Sequence, residues 1–168
     1  WPGVAHPLLN NMRELRTVGG TTRLIACIDL RGEPAVFPKD RPATFEEIQW
    51  QALAAIGGGF QGIVWRGGVD STSWANRIRI LEHNLRLHTR DLGAAHPVPW
   101  VRAGSGERVT ALASDTKLFI VLLHPEYFCF DGKGKIILPI HPKVQKGRLE
   151  LVVPEEVELV SGQSLYGR

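Results

Sequence analysis

The chain has 168 residues, 43% of them hydrophobic, which suits one ordinary domain or two small ones with a real core. A net charge of +3 and a pI near 9.1 are too modest to argue for a nucleic-acid partner and leave only weak attraction for anions. No apolar run is long enough to span a bilayer, so no membrane partner is expected.

In chain order, residues 6–16 have the spacing of a helix, with Pro7 in its first turn and Leu8, Met12 and Leu15 on one face. Gly19-Gly20 ends it, and residues 23–29 form a short apolar strand closed by Asp29. Residues 31–42 carry Pro34, Pro38 and Pro42 and are expected to be a polar loop. Thr44 and Glu47 have the spacing of a capping box. Phe45, Ile48, Ala52, Ala55 and Ile56 then recur at helical period, and Gly57-Gly58-Gly59 supplies the freedom for a C-cap. Residues 60–65 are a second apolar run, expected to be a strand covered on both faces. Strand, helix and strand with tight joints make a βαβ unit, so the two strands should be parallel.

Residues 73–92 are expected to form a single long helix with an apolar stripe of Trp74, Ile78, Leu81, Leu85 and Leu92. Residues 96–100 hold two prolines and are expected to be an extended linker. Beyond it, residues 108–113, 117–124, 134–140 and 147–153 are strand-like runs separated by turn signals, with a further strand expected over 155–160. The expected fold class is therefore α/β over residues 1–95, followed by an all-β, antiparallel part over 100–168. Cys27 and Cys129 fit no metal or redox spacing, and their pairing is open. Cys27, within an apolar strand, is expected to be buried.

In parallel α/β structures ligands gather beyond the carboxyl ends of the strands. Asp29 and Trp65 end the two strands, and Arg31, Glu33, Arg66 and Asp70 lie on the loops just past them. A flat indole such as Trp65 can floor a sugar site, and arginines can hold carboxylated or hydroxylated ligands. The alternative for Asp29, Arg31 and Arg66 is mutual bracing of the loops, and for Trp65 a place at the rim of the core. No residue spacing calls for a cofactor or a metal. Arg79, His83, Arg86 and Arg90 form a basic stripe, but without interleaved aromatics a solvated helix face is expected there and not a nucleic-acid site.

The run FEEIQWQALAAIGGGFQGIVW over residues 45–65, with LFIVLLH over 118–124, resembles the closing part of glycoside-hydrolase-type (β/α)8 (TIM) barrels with an appended C-terminal β-sandwich. That resemblance implies that residues 23–29 match the seventh barrel strand and 60–65 the eighth. It implies a carbohydrate partner, a catalytic role for Asp29, and Trp65, Arg31, Arg66 and Asp70 as substrate-binding residues. Retaining glycosidases need two carboxyl groups roughly 5–5.5 Å apart. The acid/base partner normally comes from an earlier strand, so only Asp70 or Glu33 could stand in. A full barrel takes roughly 200 residues or more. The resemblance therefore implies an incomplete barrel, inactive as a hydrolase by itself, whose open sheet edges favour self-association into a homo-oligomer. A secreted or periplasmic location would go with such an activity. The alternative is a non-catalytic β-sandwich module with a helical adaptor, serving binding or assembly.

Overall fold

The computed structural model describes residues 14–15, 23–30, 45–67, 72–104, 108–123, 129–130, 136–137 and 147–163. The protein is mixed α/β. Its elements are β1 (Ile25–Asp29), α1 (Phe45–Gly57), β2 (Gly62–Arg66), α2 (Thr72–Arg86), α3 (Thr89–Ala94), β3 (His96–Val98), β4 (Val101–Ala103), β5 (Arg108–Ala113), β6 (Leu118–Leu123), β7 (Cys129–Phe130), β8 (Ile136–Ile137) and β9 (Leu149–Leu151). Of the helix expected over residues 6–16, only Glu14 and Leu15 are described; both are helical and exposed.

β1 and β2 are parallel neighbours, with Ile25 level with Gly62 and Asp29 level with Arg66. The ladder runs past both strand ends, through Gln61 N–H to Leu24 O at 2.9 Å and Leu30 N–H to Arg66 O at 2.8 Å. The β-rich part contains a three-stranded sheet in the order β3-β5-β6 and the pairs β4-β9 and β7-β8, all antiparallel.

α1 is the central element. Its Ile48 and Ala52 pack with Ile28 of β1, with Leu30 just after that strand, and with Ile78 and Leu81 of α2. Its Ala54, Ala55 and Ile56 pack with Leu112, Val121 and Leu123 from β5 and β6. A helix covered on two sides needs small residues to let both layers approach, which is why its second half is rich in alanine and glycine. The parts before residue 95 and after residue 100 thus share one core across α1. The helix closes in a Schellman motif: Gly59 takes φ 82°, its N–H donates to Ile56 O, and Phe60 N–H donates to Ala55 O at 3.0 Å. The C-cap expected from the glycines is therefore present. Thr44 and the side chain of Glu47, on which the capping box rests, lie outside the described residues.

Five expectations need correction. The β1–β2 pair is covered on one face only among the described residues. Ala26 and Ile28 are buried against the helices, whereas Ile25 is 61% and Val64 52% exposed. Side chains alternate along a strand, so Cys27 falls on the exposed face with its register partner Val64, as a free thiol.

The helix expected over 73–92 is two helices, broken at Leu87 and His88. Leu87 N–H still reaches His83 O, but His88 N–H turns to Leu85 O at 3.1 Å, and the Thr89 hydroxyl donates to the same Leu85 carbonyl. That local competition tightens the turn. The chain then restarts as α3, tied to the β5–β6 turn by Lys117 and Asp91.

The segment expected as a linker contains β3, with Pro97 level with Leu112. A proline is tolerated there because β3 lies at the sheet edge. Residues 155–160 make a turn followed by irregular chain, not a strand.

Candidate functional site

Alternation along β2 sorts the candidate residues. Ile63 and Trp65 turn toward the helices and are half-buried, while Val64 and Arg66 lie on the exposed face. Trp65 is level with Ile28, and Asp29 is level with Arg66. The two strands thus end on the same side, as expected of a parallel pair, but Trp65 and Asp29 are not register partners. Arg66 is engaged in interactions of its own. Arg31, Glu33, Asp70 and the Asp29 side chain lie outside the described residues.

What the structure does bring together is a cleft of about 230 Å³ between β2 and the α2–α3 pair. Phe60, Trp65, Leu85 and Leu92 give it apolar walls. Gln61, Glu82, Arg86 and Thr89 contribute an amide, a carboxylate, a guanidinium and a hydroxyl. Trp65 Nε1 donates to Glu82 Oε1 at 2.6 Å, a charge-assisted bond that fixes the tilt of the indole. Glu82 and Arg86 lie one helical turn apart on the same side of α2, which is how both reach the cleft. Mostly apolar walls with a few convergent polar groups are the usual make-up of a small-ligand site. Among the described residues no cluster of His, Cys, Asp or Glu could hold a metal ion, and no helix is long and apolar enough to cross a membrane.

Glu82, Gln61 and Thr89 were not singled out by the sequence. Glu82 follows Leu81 of the apolar stripe and looks like any solvent-facing helix carboxylate. Only the packing of α2 beside β2 turns it toward Trp65.

One wall of the cleft is α3, a helix with no fully buried residue. It is held from the outside. Lys117 Nζ lies 2.5 Å from Asp91 Oδ2 and 3.4 Å from His88 Nδ1, and the His88 ring meets Phe119 edge-on at 5.9 Å. The hydrogen bond from the Lys117 ammonium holds the Asp91 carboxyl below its ordinary value against an opposing desolvation, with the charges of Lys117, His88 and Arg90 adding smaller pulls in the same downward direction. A carboxyl depressed on folding stabilises the fold above its unfolded pKa, about 3.9, and loses that contribution as pH falls through the lowered folded value. Thermal melts of the wild type and Asp91→Asn should therefore differ at pH 7 and converge below about pH 4. Curves that stay equally separated at pH 3 would show that the ion pair does not hold α3.

No protein-family model, curated protein or solved structure matches this chain.

Proposed function

We propose that the chain binds a carbohydrate in the cleft between β2 and α2–α3, on the helix side of β2 and not at the carboxyl ends of the strands, in a βαβ unit built like the closing units of a glycoside-hydrolase-like barrel. The observation that carries this reading is the Trp65 indole, held by Glu82 in the wall of a cleft that also offers an amide and a hydroxyl. An aromatic face stacks on the C–H face of a pyranose, while planar polar groups at its edge hydrogen-bond the hydroxyls. Consecutive parallel strands joined by a helix, with the helices on one face, support the barrel part of the proposal.

The activity assigned is binding and not hydrolysis. Glu82 is the one carboxylate lining the cleft among the described residues, and glycoside hydrolysis ordinarily uses a pair.

Isothermal titration of the chain with a panel of neutral trisaccharides tests the reading. At least one should bind saturably, and Trp65→Ala should weaken it by about tenfold or more. Because Trp65 also borders the core, Trp65→Phe and Glu82→Gln serve as milder variants; both keep the packing and should weaken binding less. A folded wild-type chain that binds neither these sugars nor an acidic trisaccharide would end the proposal.

A further inference from the structure

The polar groups of the cleft and of the helices that wall it differ in what already occupies them, and that difference bears on the ligand. Glu82 accepts the Trp65 indole N–H. Asp91, the carboxylate of α3, is neutralised by Lys117. Arg77, on the same helix as Arg86, is spent on Glu46 at 2.6 Å and on the Phe45 ring, 4.0 Å from its centroid. Arg86 lines the cleft with its side chain exposed, and among the described residues it makes no hydrogen bond or ion pair. Arg79 and Arg90, both exposed, add positive potential on the same helices. A guanidinium left open beside a held aromatic ring is arranged to receive a planar anion in two parallel hydrogen bonds.

We infer that the cleft selects an acidic glycan, one carrying a uronate carboxylate, with Arg86 as the residue that reads the charge. This rests on the carbohydrate reading above and deepens it. The ring of the sugar packs on Trp65, and its carboxylate turns toward α2 and Arg86. A single-stranded nucleic acid is the less suited polyanion. Its binders string aromatic platforms along a basic track, and here Phe60 and Trp65 are both half-buried in a cleft whose lining does not include Arg79.

The test is titration of the chain at low ionic strength with trigalacturonate, maltotriose and a twelve-nucleotide oligothymidylate. The wild type should bind trigalacturonate about tenfold tighter than maltotriose. That ratio should fall to near one in Arg86→Gln, recover in part in Arg86→Lys, and survive in Arg79→Gln, which lies outside the cleft. Equal affinity for the two trimers removes the inference and leaves the carbohydrate reading standing. A ratio that persists in Arg86→Gln, or vanishes equally in Arg79→Gln, also overturns it, as does an oligothymidylate that binds tighter than trigalacturonate. Failure of both trimers to bind sinks the carbohydrate reading and this inference with it.

Discussion

Ile48→Ala should cost about 2–5 kcal/mol of folding stability, a large effect for one truncation. Ile48 is fully buried on α1, in the layer between β1 and α2, where Ile28 and Leu81 are nearly as enclosed. Removing its branched side chain forfeits the transfer free energy of three carbons. It also leaves a void that three elements would have to collapse into at once, and close-packed elements relax only in part. The matched control is Ile80→Ala on α2. Ile80 is 61% exposed, and its loss should stay within about 0.5 kcal/mol. Urea unfolding of the two variants reads the difference. If Ile48→Ala unfolds at the wild-type midpoint, α1 is not the centre of the core.

Gly57→Ala should destabilise by about 1–3 kcal/mol, even though alanine is ordinarily the better helix residue by roughly 0.5–1 kcal/mol. Gly57 is the last residue of α1 and is buried against β5 and β6. A methyl group there would lie 3.3 Å from Val121 Cβ and would overlap the Thr110 hydroxyl. The hydroxyl is itself buried and has no hydrogen-bond partner among the described residues. The clash comes from packing, so it should be relieved by the neighbour. Gly57→Ala combined with Thr110→Ala should be more stable than the sum of the two single changes predicts. Gly93→Ala is the control, since nothing lies within 4 Å of the added carbon, and it should be neutral or slightly stabilising. Strict additivity in the double variant would mean that α1 and the β5–β6 sheet do not meet as closely as described.

Much of the local structure was legible from the chain. The helical period from Phe45 to Ile56, the glycines after it and the two apolar runs on either side foretell β1, α1 and β2 and their parallel pairing. Residues 108–113 and 117–124 coincide with β5 and β6 to within a residue at each end. The candidate site was less legible. Trp65 was singled out as an end-of-strand residue, yet its meaning depends on which way it turns. That was decided by α2 lying beside β2 and offering Glu82 as an acceptor. The break at Leu87 and His88 was likewise hidden, because the apolar stripe continues in register to Leu92 and nothing in the pattern signals that Lys117 will hold α3 from a distant turn.

From the sequence by itself come the β1–α1–β2 unit and the strands β5 and β6, because periodicity, caps and turn glycines act over a few residues and leave their mark in the order of side chains. Tertiary structure alone decided that α1 is covered on two sides, that β1 and β2 bury only one face, and that Trp65, Glu82 and Arg86 share a cleft. Burial and proximity are set by what packs across a face, and those neighbours lie many residues away along the chain, where no local pattern records them.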